Sequence, residues 1–168
     1  KRKLKRLTQF ITRQFDKYYW DAGKKDLVAQ LYKNQYNVII ANDIQTLPLA
    51  LSIASGETKV YFDAHEYAPE EFQNNFKWRF FDKPFVEYLC KKYIPKTDAF
   101  STVSNGIAKK YTEFTGKIPE VITNASQYFP LKISEADPLR IKLIHHGAAV
   151  KARKIELMIE MMDYADER

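Results

Sequence analysis

One cysteine, five glycines and three histidines in 168 residues set the first limits on this chain. A single thiol cannot form a disulfide within the chain, so stability has to come from packing. Cys90 sits in the apolar stretch PFVEYLC (84–90), where a free cysteine is expected as a small core residue rather than a nucleophile. Gly23, Gly56, Gly106, Gly116 and Gly147 nowhere reach the G-x-G-x-x-G spacing of a dinucleotide-dependent oxidoreductase. The histidines are His65, His145 and His146; the last two are adjacent on an expected strand and so point to opposite faces. No Cys, His and carboxylate spacing suggests a metal site. No apolar run approaches the roughly 20 residues of a membrane span. The basic start also lacks the apolar region of a secretory signal. A cytoplasmic protein is the expectation.

What is present is a globular composition. Apolar residues make up 45% and aromatics 14%, which supports one domain with a real core and is too little chain for two complete ones. The net charge of +6 is concentrated. Residues 1–25 hold nine Lys/Arg against Asp16 and Asp21, a local +7, and the remaining 143 residues sum to −1. The stretch KRKLKRLTQFITRQFDKYY (1–19) carries Leu4, Leu7, Ile11, Phe15 and Tyr18 at helical spacing, with Lys1, Lys3, Arg6, Arg13 and Lys17 around them. The favoured expectation is a surface helix docked on the sheet with a solvated basic face. The alternative is peripheral contact with an anionic membrane, at its inner face, or with an acidic partner. Nucleic acid is not an expected partner, because no second basic surface accompanies the first.

Short apolar runs alternate with helical patterns, the rhythm of parallel strands joined by crossover helices. Strands are expected at NVIIAN (37–42), KVYFDAH (59–65), DAFSTVS (98–104), PEVITNAS (119–126) and LRIKLIHHG (139–147). Between them lie a helix over 44–55 with Pro48 in its first turn and Gly56 after it, and an aromatic helical stretch broken by Pro69, Pro84 and Pro95. A short helix closed by Gly116 follows, and after the fifth strand a helix with Ile155, Met158, Ile159 and Met162 on one face. The fold class is α/β, a doubly wound parallel sheet; strands buried on both faces read as continuous apolar runs, a pattern that VIIA and KVYF fit and DAFSTVS and VIT fit less well.

In such sheets ligands bind beyond the carboxyl ends of the strands. The residues at those ends are Asn42 and Asp43; Asp63, Ala64, His65 and Glu66; Ser104 and Asn105; Thr123 and Asn124; and His145, His146 and Gly147. That polar, titratable set at one edge points to a ligand site without naming the ligand.

The blocks VIIANDIQTLPLALSIA, KVYFDAHEYAPEEF, DAFSTVSNGIAKKY, VITNAS and IKLIHHGAAVKARKIELMIEM agree in order and spacing over about residues 37–162 with one family. They resemble the GT4-type (group 1) glycosyltransferases of the GT-B fold. The resemblance implies two Rossmann-like domains facing a cleft: residues 1–135 as part of the acceptor-side domain, and 136–168 as linker and start of the nucleotide-sugar-binding domain. It implies a chain incomplete at both ends and inactive alone, lacking the second domain's later carboxylates. The implied reaction is retaining, metal-independent transfer of a sugar from a nucleotide-diphosphate sugar to a hydroxyl of a glycan or lipid-linked acceptor, with no cofactor.

By the same resemblance, His65 in DAHE faces the transferred sugar as the catalytic candidate, and Asn42, Asp43 and Glu66 lie near the acceptor. A histidine at a strand end could hydrogen-bond a sugar hydroxyl or pack its loop; Asn42 and Asp43 could equally cap the following helix. Ser104 and Asn105 are expected as helix caps, and Asn124 as a turn former near the interdomain connection. Gly147, Arg153 and Lys154, with Lys151 beside them, would face the donor's phosphates at a helix start. Where the family usually has an arginine directly after the glycine, this chain has Ala148, so one cation is missing. The alternative for that segment is a basic helix start on the surface. At the level of the whole chain, the competing reading is a non-catalytic ligand-binding or regulatory flavodoxin-like module, although no later strand end supplies the lysine a receiver-type site needs.

Overall fold

The computed structural model describes residues 2–165 apart from 133, 136, 149, 151 and 152, and it falls into two compact units, Lys1–Ala125 and Ser126–Arg168.

The first unit is an α/β layer built on a four-stranded parallel sheet. β1 (Val38–Asn42), β2 (Lys59–Ala64), β3 (Ala99–Thr102) and β4 (Glu120–Val121) lie side by side in chain order. Register is fixed by pairs such as Ala41 with Phe62, Phe62 with Phe100 and Thr102 with Val121. Three helices make the crossovers: α4 (Leu47–Ile53), α5 (Phe76–Tyr93) and α6 (Asn105–Thr115). Before β1 come α1 (Arg2–Ile11), α2 (Phe15–Tyr19) and α3 (Ala22–Leu31). Strands that step one way across a sheet through right-handed crossovers place those helices on one face, and α4 packs on α5 and α5 on α6 accordingly.

The core follows from that layering. Ala41, Val60, Phe62, Ala64 and Phe100 project from one face of the sheet and are buried against Leu47 and Ala50 of α4, Phe85, Leu89 and Cys90 of α5, and Phe15 and Tyr19 of α2. Cys90 is fully buried, and desolvation pushes its thiol up to about 12, as expected of a core residue. On the opposite face Val38 and Ile40 are exposed, Tyr61 and Asp63 are half-buried, and Ser101 is buried. The expectation of strands buried on both faces is therefore corrected: β1 and β2 alternate, because the crossover helices cover one side only.

Two helix expectations also change. Pro84 does not break α5, which runs 18 residues through it. The face bearing Phe85, Val86, Leu89, Cys90 and Tyr93 is buried, and that packing outweighs one lost backbone hydrogen bond. The helix after β1 begins at Leu47 with Pro48 in its first turn and ends at Ile53, before Gly56, whose φ of 57° shapes the turn into β2. Ser104 caps α6 through Ile107 N–H at 3.4 Å, and Gly116 closes it in the left-handed region, both as expected. Asn105 is the first helical residue of α6.

In the second unit, residues 139–147 form no strand, contrary to expectation, and Leu139, Ile141, Leu143 and Ile144 are exposed. An isolated strand has no ladder to join and no second layer to bury against. The only α-helix described there is α7 (Ile155–Glu160), followed by a 3-10 turn, Met161–Tyr164. Among the described residues no helix is long and apolar enough to cross a membrane.

Candidate functional site

The carboxyl ends of β1 and β2 open into a cavity of about 370 Å³ in the first unit, within the size range of small-molecule sites. Asp43, His65 and Glu66 all line it; Asn42, at the exposed end of β1, does not.

Each side chain is held there for a local reason. Asp43 leaves β1 with φ 66°, a left-handed conformation that Asp tolerates better than most residues. Its carbonyl accepts from Thr46 N–H at 3.1 Å and Thr46 hydroxyl at 2.9 Å, closing the turn into α4. α4 starts after Thr46 without a side-chain cap, so Asn42 and Asp43 do not take the capping role considered for them. Asp43 is left to face the recess. Non-glycine residues in this conformation carry strain and gather at functional sites.

His65 follows β2 and is oriented by its neighbour on the sheet. Its Nε2 lies 3.1 Å from Asp63 Oδ2. Asp63 Oδ1 accepts from the Ser101 hydroxyl at 2.7 Å, and Tyr61 OH lies 2.5 Å from Ser101 Oγ. With Ser101 donating to the carboxylate, Tyr61 donates to Ser101, so a relay of three side chains fixes the aspartate and the aspartate fixes the imidazole.

Glu66 sits on a loop pinned from below. Tyr111 of α6 is completely buried; its hydroxyl donates to Glu66 carbonyl at 2.9 Å and accepts from Ala68 N–H at 3.0 Å. Thr102 hydroxyl donates to Ala64 carbonyl at 2.9 Å, tying the end of β2 to β3.

The recess contains residues that sequence reading missed. Glu71, Phe72 and Trp78 form part of its wall, with Phe72 and Trp78 rings edge to face at 5.9 Å. Partial desolvation raises the Glu71 carboxyl above its ordinary range, and the Glu66 and Asp43 carboxylates add to the effect. With three carboxyl groups and His65 as its one basic residue, the recess repels anions. Aromatic faces beside hydrogen-bonding groups suit a hydroxyl-rich ring with apolar C–H faces.

The phosphate candidates belong to the second unit. Gly147 has φ 138°, a conformation side chains rarely adopt, and Arg153 Nη1 would lie 2.6 Å from a Cβ placed there. Arg153 donates to Ala148 carbonyl at 3.3 Å, so its guanidinium folds back over the glycine. Lys154 precedes α7 with φ 48° and is exposed. Lys151 lies outside the described residues. Asn124, in the first unit, is exposed and outside any helix, strand or turn. Among the described residues no group of three His, Cys, Asp or Glu could hold a metal ion.

Fold and recess together define an α/β protein with a parallel sheet and a polar, aromatic-walled cavity at the sheet's carboxyl edge. No protein-family model matches the chain, and neither a curated protein nor a solved structure matches it.

Proposed function

We propose that the chain is part of a glycosyltransferase that moves a sugar from a nucleotide diphosphate to an acceptor hydroxyl, on a GT-B type scaffold. One observation carries the reading: Asp43, His65 and Glu66 share a sugar-sized recess at the carboxyl edge of the parallel sheet, with Trp78 and Phe72 in its wall. The resemblance of the five sequence blocks supplies the reaction class.

In the proposed reaction the anomeric C–O bond to the diphosphate breaks and a bond from the acceptor oxygen forms on the same face of the sugar. The acceptor's proton passes to the departing diphosphate oxygen. His65, held by Asp63, hydrogen-bonds the sugar and stabilises charge as the bond loosens. Asp43 and Glu66 accept from acceptor hydroxyls and position them. Gly147, Arg153 and Lys154 take the donor's phosphates, where cations neutralise the leaving group without a metal. The acceptor is a glycan or the sugar end of a lipid-linked carrier, reached from the cytoplasmic side.

The test is a screen of nucleotide-diphosphate sugars against the chain by calorimetry, with Arg153→Ala and His65→Ala as variants. Binding of at least one donor is expected. Arg153→Ala should weaken it by about tenfold, the loss of roughly one charge-assisted hydrogen bond. Binding that neither substitution alters would overturn the assignment.

A further inference from the structure

We infer that α1 and the first turns of α5 form a single interfacial surface by which the chain lies on an anionic bilayer. The inference does not depend on the sugar-transfer reading.

The residues come from two segments about seventy positions apart. Leu4, Leu7 and Ile11 form a stripe along α1, and all three are exposed, Ile11 by 64%. The helix is docked through Phe10, which meets Phe15, Tyr18 and Phe85, and through Arg6, which pairs with Asp21 and lies over the Tyr18 ring; the docked helix expected from sequence leaves Leu4, Leu7 and Ile11 in water. On α5, Phe76, Phe80 and Phe81 are likewise exposed, Phe76 by 68% and with its ring centroid 4.5 Å from that of Phe80 in a tilted pair. These are one patch: Ile11 and Arg13 share a surface recess with Phe80 and Phe81. Six large apolar side chains on one surface exceed what scattered exposure accounts for.

Charge selects the partner. Lys3, Lys5, Lys77 and Arg79 are exposed on the same two helices, with Arg13 exposed in the turn after α1, and residues 1–25 carry +7 while the rest of the chain is near neutral. Arg6 is taken by Asp21, and Lys83 is 3.8 Å from Glu87. Asp82, beside Lys3 and Leu7, is the acidic group within the patch. Phenylalanine and aliphatic side chains rimmed by exposed lysine and arginine match the boundary between acyl chains and anionic headgroups. An acidic protein surface would satisfy the cations and leave the phenylalanines in water.

Flotation of the full chain with vesicles of phosphatidylcholine and phosphatidylglycerol, against phosphatidylcholine alone, tests this. Binding to the anionic vesicles should be at least about tenfold tighter and fall with salt. Phe80→Ser with Phe81→Ser, and separately Arg13→Gln with Arg79→Gln, should each reduce it by about tenfold or more; all four positions are exposed, and circular dichroism verifies that each variant folds. Equal binding to both vesicle types, no binding to either, or binding that the arginine variant leaves unchanged would overturn the inference. So would a concentration-dependent dimer abolished by the phenylalanine variant without vesicle binding, which would assign the surface to a second copy.

Discussion

Tyr111 shows how a single hydroxyl can hold a candidate site in shape. Buried between Phe100 and Tyr67, it bridges Glu66 carbonyl and Ala68 N–H, the loop that carries the recess forward from β2. Tyr111→Phe leaves both backbone groups without that partner and should cost about 1–3 kcal/mol in denaturant unfolding; an unchanged midpoint would mean the bridge is not formed in solution. Glu71 carries a pH prediction. Its folded pKa is raised, so between the ordinary and raised values the folded chain keeps a proton the unfolded chain has released. Stability should therefore fall as pH rises through that window, and Glu71→Gln should flatten this part of the pH–stability curve. Thermal melts across the acidic range read the effect directly. Neither residue announced itself in the sequence: Tyr111 acts on a loop 43–45 residues away, and Glu71 gains its meaning from partial burial in the recess, with Glu66 and Asp43 nearby.

Among the elements, those legible from sequence were the ones whose partners lie nearby in the chain. NVIIAN and KVYFDAH became β1 and β2 almost residue for residue, because two apolar runs joined by one short helix pair readily. The run LRIKLIHHG is likewise rich in Leu and Ile and forms no strand, since composition cannot supply a neighbouring ladder. Pro84 misled for a related reason: a local rule predicts a break, and burial of the α5 residues that follow it, Phe85, Val86, Leu89, Cys90 and Tyr93, overrides it. That burial is testable. Leu89 is fully buried in the C-terminal half of α5, and Leu89→Ala should destabilise the first unit by about 2–5 kcal/mol. A second element-level contact joins α2 to α5, where Lys92 donates to Asp16 Oδ2 and Tyr93 OH donates to Oδ1. Burial acts to raise the Asp16 carboxyl, but these hydrogen bonds win and hold it below its usual value. Its contribution is present above the unfolded pKa and lost as pH falls through the folded one, so Asp16→Asn should cost about 1 kcal/mol near neutral pH and less in acid.

For the whole molecule, the account joins a sheet edge to a chemistry. The edge was legible: parallel strands direct their carboxyl ends to one side, and Asp43, His65 and Glu66 duly meet in one cavity. Its character was not, because the aromatic wall comes from Phe72 and Trp78, beyond β2 and far from the apolar runs that mark strands. The central claim is that this recess binds an uncharged, hydroxyl-rich ring. The most direct measurement is an NMR titration of the chain with methyl glycosides, following the Trp78 indole N–H and the amides of Asp43 and Glu66. The account predicts saturable shifts at these positions with neutral glycosides, lost in His65→Ala and weak or absent with phosphorylated ones. Shifts confined to other surfaces, or none with any glycoside, would contradict it.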